Sequence, residues 1–599
     1  MPIYEAPIAD FRFLLQEVFD YDEQVAGLPG LEDATMDVVL AVLKGADEFV
    51  RGVLLPINLP GDALGCTHGP DGVHTPKGYK EAYATYRNGG WPALAGDPAY
   101  GGQGLPTSLA IFVRELIASG SMSFGMYGGL SQGAYRALAA HGSDALKLAF
   151  LPHLIDGSWT GTMCMTEPEC GSDLSHLRTR AVPASDGSYR ITGTKIFISG
   201  GDHDLAENIV HLVLARLPDA PAGTRGISLF IVPKCLPLEQ HGPLPTRSDN
   251  GVTCVSIEHK MGIRASATAT LAFDDAQGWL IGEAHGGLRA MFTMMNSSRV
   301  GVAVQSVGVA EISYQNALHY AQERRQGRAP GAAHSANGER SDAIVLHPDV
   351  RKNLLTMKAL VEGARALYVE SAMALDIRVR HPDAAARSDA DGMLALMTPV
   401  LKSFISDCAV TVTNLGITIF GGHGYVHESG VEHWLRDARI VPLYEGTNAI
   451  QALDLVNRKL TLDGGKTVQA WLAEVAQRIQ RHRDAPEIGA LCAPLEVALG
   501  QLRSTTALMQ DRVATDAVEA AAAASDYLRM FGLVALGAAW LRMAACAQAA
   551  RGSEGGAFYR GKVKTARFYM QHLLPETERL QHGIRAGARA IMDVDPQEL

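Results

Sequence analysis

The 599-residue sequence predicts an α+β multidomain fold. It comprises an N-terminal helical domain (1–160), a middle β-barrel or β-sheet domain (161–285), a C-terminal four-helix bundle (286–460) and an extra C-terminal helical domain (465–599). Three observations predict it. The length exceeds what one core serves, at roughly 150 residues per domain. Apolar residues recur at helix spacing toward both ends, whereas in the middle they fall into short runs divided by Gly, Asp and Pro. A hydrophobic share of 47% and a charged share of 20% are those of an ordinary globular chain, which excludes disordered and fibrous classes.

Each element follows in order. Phe11, Leu14, Leu15, Val18 and Phe19 lie at helix spacing, as do apolar residues from Met36 to Leu54. The turn-rich run 97–104 interrupts them, and 109–119 returns to helical spacing. In the middle domain, 189–199, 209–217, 226–233, 253–260 and 268–273 read as strands. Strict alternation in the first places Ile196 and Ile198 on one face, Phe197 and Ser199 on the other. In the next region Val350, Leu354, Met357, Val361, Ala364 and Tyr368 step by four and three, which predicts a bundle seam. The segment 325–347 reads as a loop joining two long antiparallel helices. After the breaker Asp463-Gly464-Gly465, helical spacing resumes at Val468, Trp471, Leu472, Val475 and Ile479, with a second long helix around 527–549.

Composition also narrows the function. The net charge of -11 is spread without a basic block, which argues against a nucleic-acid surface. The eight cysteines form no Cys-x-x-Cys pair and no Cys/His cluster at zinc spacing, so unpaired thiols in a reducing compartment and no metal site are expected. Glu5 and Asp10 interrupt the first twenty residues, unlike a secretory signal, and no apolar run reaches the roughly 20 residues of a bilayer span. A cytoplasmic protein with no integral membrane segment is expected.

From its neighbours alone, Glu445 reads either as a residue that caps or solubilises a helix start or as a base. Val441, Pro442, Leu443 and Tyr444 precede it, and a carboxylate desolvated by apolar neighbours has its pKa raised toward that of a weak carbon acid. It stands in Tyr444-Glu445-Gly446-Thr447-Asn448, the last of a series of blocks. The others are Gly101-Gly102-Gln103-Gly104, the run from Met163 to Asp173, Lys195-Ile196-Phe197-Ile198-Ser199, Lys260-Met261-Gly262-Ile263-Arg264, Glu323-Arg324, Ile419-Phe420-Gly421-Gly422-His423-Gly424 and Leu435-Arg436-Asp437-Ala438-Arg439. Each block alone is common; the ordered set resembles the acyl-CoA dehydrogenase family over about residues 35–460. Gly201-Asp202-His203-Asp204-Leu205 and the added helical region are similar to the subgroup containing 3-methylmercaptopropionyl-CoA dehydrogenases.

The resemblance implies FAD-dependent α,β-dehydrogenation of an acyl-CoA thioester to the trans-2-enoyl-CoA. Glu445 is then the general base and flavin N5 the hydride acceptor. It places Met163, Thr166, Phe197 and Ser199 at the flavin ring, Arg324 on the pyrophosphate of a neighbouring subunit's FAD, and His347, Thr418, Gly421 and Gly422 at its adenosine end. Thr447 and Asn448 fall near the phosphates; Ser172, Arg264, Tyr444 and Gly446 fall at the substrate. Family members often carry Tyr or Phe at the position of Met163 and Trp at that of Phe197, and some carry Asp and Arg where this chain has Ala267 and Ala269. The glycine-rich stretch 125–130 reads equally as an acyl pocket or as close helix packing. Electron-transferring flavoprotein is the expected acceptor, and a cofactor shared between chains implies a homodimer or higher homo-oligomer. The expected substrate is 3-methylmercaptopropionyl-CoA or another short to medium acyl-CoA. A long-chain dehydrogenase, an acyl-CoA oxidase and a flavoprotein that binds nucleic acid stand as alternatives.

Overall fold

The computed structural model describes residues 2–236, 248–331, 340–550 and 555–599. Internal contacts divide the chain into two units: Gly45–Gly301, and Met1–Lys44 together with Val302–Leu599.

The first unit holds helices α1 (Thr107–Gly120), α2 (Met122–His141) and α3 (Asp144–Asp156). Seven strands follow: β1 (Trp159–Cys164), β2 (Arg180–Pro183), β3 (Tyr189–Ser199), β4 (Asn208–Arg216), β5 (Ile227–Pro233), β6 (Val252–Ile257) and β7 (Thr268–Ile281). Their order is β6-β7-β3-β2-β4-β1, and β5 joins β7 to β4, so the sheet closes on itself as a barrel. The alternation of β4 and β5 builds two cores. Leu212, Leu214, Leu229 and Ile231 pack with α2 and α3, while Val213, Phe230 and Val232 fill the interior with Ile191 and Leu271.

β7 extends to Ile281, eight residues past the expected 273, because a bulge near Asp275 (φ 54°) bends it from β3 onto β5. The strict alternation expected in β3 also fails. Ile198 pairs with Ala269 and Lys195 with Leu271, so two residues oppose one at Ile196 and Phe197. The extra residue buries Lys195 and Ile198 three apart and turns Phe197 outward.

In the second unit α4 (Gly287–Glu323), of which the part from Val302 belongs here, is followed by α5 (Pro348–Arg380) and α6 (Ala384–Phe420). The predicted α5 seam is buried from Leu354 to Tyr368, with Val350 half-buried. Of the α4–α5 connection, residues 332–339 lie outside the described residues. Next come the short α7 (Asn448–Asp454), then α8 (Lys466–His482), α9 (Gly489–Thr515), α10 (Ala517–Ala549), α11 (Gly556–His572) and α12 (Glu576–Ala586). All five expected apolar positions of α8 are buried. Trp540 of α10 donates through Nε1 to the Ala359 carbonyl at 3.0 Å, and Gly363 leaves room for its ring.

By length and composition α6 and α10 are apolar enough to cross a membrane, which corrects the expectation that no stretch is. Their apolar windows are 78% and 83% buried within the protein, where they serve as core.

The first 44 residues group with this unit, although the sequence reads 1–160 as one domain. A buried ionic cluster draws them in. Asp10 accepts from Arg365 Nη1 at 2.6 Å and from Lys562 Nζ. Arg365 Nη2 donates to Glu311 at 2.6 Å, and Lys562 to Glu362 at 2.9 Å. Burial alone would raise the Asp10 pKa, but the Lys562 and Arg365 cations bring it to about 2. Phe13 meets Phe558 edge-on, with centroids 5.6 Å apart, and Asn316 exchanges two hydrogen bonds with the Ile3 backbone.

Candidate functional site

In the barrel unit, residues 163–166 and 195–199 are brought together. Ile196 N donates to Thr166 O at 2.9 Å, and Lys195 Nζ to Met165 O at 3.2 Å. Met163, Thr166 and Ser199 are half-buried there, while Phe197 is 61% exposed at φ 58°. A left-handed, exposed aromatic costs on the order of 1–2 kcal/mol and is held only because the bulge imposes it.

Beneath this edge lies an ion pair to which the sequence reading gives no role. Lys195, fully buried, donates to Glu167 Oε1 at 2.8 Å. The same carboxylate accepts from Thr179 N (3.0 Å), Thr179 Oγ1 (2.6 Å) and Arg178 N (2.6 Å). Burial holds the Lys195 pKa below its usual value against the pull of Glu167. Burial would raise Glu167, but Lys195 and these donors lower it. Glu167 and Cys170 close a tight turn by mutual backbone bonds at 2.9 and 3.0 Å, so Ser172, just beyond, stands exposed. Both residues of the pair lie inside quoted motifs; the available signal was a lysine in a strand and a glutamate in a loop, each needing a partner once buried.

Arg264 is half-buried and donates from Nε to the Lys260 carbonyl at 3.3 Å. Ala267 and Ala269 are buried, and the Ala267 amide donates to Tyr127 Oη at 3.1 Å. Tyr127 in turn donates to the Ala265 carbonyl at 3.2 Å. In the glycine-rich stretch, a Cβ on Gly128 would meet Tyr86 Oη at 2.9 Å and one on Gly129 would meet Arg114 at 2.9 Å. Those two glycines therefore serve close packing.

In the helical unit, Glu445 (φ 56°) and Gly446 (φ 83°) are consecutive left-handed residues ahead of α7. Such strain, of order 1–3 kcal/mol at a non-glycine residue, persists only where the surroundings fix it. Here they do. Tyr444 donates to Gln305 at 2.6 Å, Gln451 Nε2 to the Glu445 carbonyl at 3.3 Å, and Thr447 Oγ1 caps α7 by accepting from Ile450 N at 3.3 Å. Glu445 Oε2 is buried, although the residue as a whole is half-buried. Gln305 and Gln451 are positioning residues that the sequence alone did not mark.

Asn448 turns inward. Its Oδ1 accepts from Lys402 Nζ (3.0 Å) and Ser406 Oγ (3.2 Å), and its Nδ2 donates to Asp407 at 2.8 Å. Its amide donates to the Pro442 carbonyl at 3.0 Å. The residue expected near the phosphates thus tethers the Glu445 loop to α6.

The remaining positions lie at the surface. Arg324 and Thr418 are exposed, and His347, ahead of α5, donates from Nε2 to the Gln326 carbonyl at 2.9 Å. Gly421 (φ 60°) and Gly422 have nothing within 4 Å of a would-be Cβ, so bare backbone is presented there. Taken unit by unit, the barrel offers an outward aromatic with half-buried hydroxyls and a thioether that suit the flat ring of FAD, and the helical unit offers an arginine and open glycine backbone that suit phosphates and adenosine. Among the described residues no group of three or more His, Cys, Asp or Glu is arranged to hold a metal.

Four family models match in succession. They are described as the N-terminal (71–158), middle (162–276) and C-terminal (285–460) domains of acyl-CoA dehydrogenase and as "Acetyl-CoA dehydrogenase C-terminal like" (471–595). The chain is 41% identical over 582 residues to 3-methylmercaptopropionyl-CoA dehydrogenase of Ruegeria pomeroyi, covering 96% of each. It is 33% identical over 594 residues to a butyryl-CoA dehydrogenase of Syntrophomonas wolfei, covering 96% of this chain and 95% of the relative. Among solved structures, an acyl-CoA dehydrogenase complexed with FAD from Bacillus anthracis matches in fold with a TM-score of 0.75 at 20% identity, over 96% of this chain and 91% of that one.

Proposed function

Because this chain belongs to the acyl-CoA dehydrogenase family, we propose that its flavin-dependent dehydrogenation acts on 3-methylmercaptopropionyl-CoA or another short to medium acyl-CoA, with Glu445 as the base. The observation that carries the role of Glu445 is its clamped, left-handed backbone with a buried Oε2. The support for a short to medium substrate is the 41% identity to the Ruegeria enzyme across 96% of both chains.

Glu445 takes the proton from the carbon next to the thioester carbonyl, and its backbone N–H is a donor for the thioester oxygen, meeting the charge that develops as the proton leaves. Tyr444, Gln305 and Gln451 fix the backbone from which the carboxylate projects. FAD, when bound, supplies the acceptor for the hydride from the neighbouring carbon. Met163, Thr166, Phe197 and Ser199 hold its ring, while Arg324, His347, Thr418, Gly421, Gly422 and Thr447 face its phosphates and adenosine. Ser172, Arg264, Tyr444 and Gly446 serve the substrate. Electrons pass on to electron-transferring flavoprotein, and the working form is a cytoplasmic homodimer or larger homo-oligomer. The exposed Arg324 and bare Gly421–Gly422 backbone support a cofactor shared between subunits.

Anaerobic mixing of the holoprotein with a panel of acyl-CoAs tests both claims. 3-Methylmercaptopropionyl-CoA and butyryl-CoA should bleach the flavin faster than palmitoyl-CoA. Glu445→Gln should retain FAD while bleaching falls by about 10²–10⁴-fold. Bleaching at the wild-type rate would remove Glu445 from the role of base.

A further inference from the structure

Two cavities in the helical unit involve none of the groups assigned above. An open cleft of about 500 Å³ is walled by Arg478, Arg481 and His482 of α8 and by Arg542 and Cys546 of α10. A chamber of about 110 Å³ lies among Leu367 of α5, Met393 and Met397 of α6, and Trp471 and Val475 of α8. Glu474 and Arg478 line both, so one side-chain pair stands between a basic space and one walled mainly by apolar residues, with Glu370 and Ser371 among them. Arg478 donates to Glu474 at 2.7 Å and to the Ala538 carbonyl at 3.4 Å.

The cleft is cationic. Arg542 is committed to Glu370 at 2.9 Å and lies 4.4 Å above the Phe19 ring. Arg481 is exposed and makes no ion pair among the described residues. Burial, helped by Arg481 and Arg478, holds His482 below its usual pKa, as a positive field requires. Arginine forks suit carboxylate or phosphate oxygens, and the chamber behind them is lined mainly by apolar side chains, with Glu370 turned to Arg542 and Ser371 beside it.

We propose that cleft and chamber together bind a small amphiphile with one anionic head, its oxygens on Arg478 and Arg481 and its alkyl chain beyond the Glu474–Arg478 pair against Trp471. The head replaces Glu474 as the partner of Arg478. Each methylene that enters the chamber raises affinity about fourfold until the space is full.

The test is titration of the holoprotein with butyrate, hexanoate, octanoate and octyl phosphate, followed by calorimetry, tryptophan fluorescence and flavin absorbance. One saturable site per chain is expected, tightening from butyrate to hexanoate, with the flavin spectrum unchanged. Arg481→Glu should weaken it at least tenfold, and since Arg481 is exposed this variant should fold. Trp471→Phe should remove the fluorescence change while leaving the calorimetric signal. The tighter of octanoate and octyl phosphate identifies a free carboxylate or a phosphate ester as the source. Absence of saturable binding, indifference to Arg481→Glu, or competition with acyl-CoA accompanied by a flavin shift would each overturn the proposal.

Discussion

The two units bury charge in different ways. In the barrel, Lys195 meets one acid, and that acid is completed by the amides of Arg178 and Thr179 and the Thr179 hydroxyl, so the pair shapes a single loop. In the helical unit, Asp10, Glu311 and Glu362 are met by Arg365, Lys562 and Lys358, from segments as much as 552 residues apart. There the acids rely mainly on other charges. The lesson is that a buried ion completed by local backbone acts as a local brace, whereas one completed by distant cations becomes a condition of the long-range topology.

The largest expected effect breaks the distant cluster. Lys562→Met leaves Asp10 and Glu362 each short of a buried cation and should cost about 3–5 kcal/mol, measured by denaturant unfolding. A loss under about 1 kcal/mol would erase the contrast. Acid should act on the same cluster. The Asp10 pKa, depressed from 3.8 to about 2, contributes stability that is fully present above pH 3.8 and lost as pH falls through about 2. That contribution is about 2–3 kcal/mol. Asp10→Asn should flatten the pH dependence of unfolding across that window by a similar amount.

Lys195→Met should cost less, about 1–3 kcal/mol, because Glu167 keeps three donors. Its mark should be functional: faster release of FAD on dilution, a change that Lys562→Met should not produce in the folded protein. The smallest effect is expected at an exposed pair. Arg589 and Asp593 lie 3.1 Å apart with side chains 89% and 65% exposed, and Arg589→Ala should change the unfolding free energy by under about 0.5 kcal/mol.

The same contrast explains what the sequence disclosed. β3 was legible at its full length because 189–199 carries its pattern locally, and the α5 and α8 seams were legible for the same reason. β1 escaped notice: Trp159–Cys164 is a parallel strand buried almost throughout, so no alternation marks it. The bulge at Ile196–Phe197 was invisible because it is imposed by the register with β7. Glu445 was found through its neighbours and motif, but the residues that clamp it were not. Gln305 lies 139 positions upstream of Tyr444, and the Asn448 tether reaches back to Lys402. Nothing in the local spelling of Asp10 foretells Lys562.

That last pairing sets an order of events during synthesis. With 552 residues between Asp10 and Lys562, a ribosome adding about 5–20 residues per second needs roughly 30–110 seconds to deliver the partner. Through that interval the nascent N-terminal segment waits with Phe11, Phe13 and Phe19 still lacking their final packing. A translation stall before codon 562 would leave that part held by Asn316 and Arg365 but without its Lys562 and Phe558 contacts.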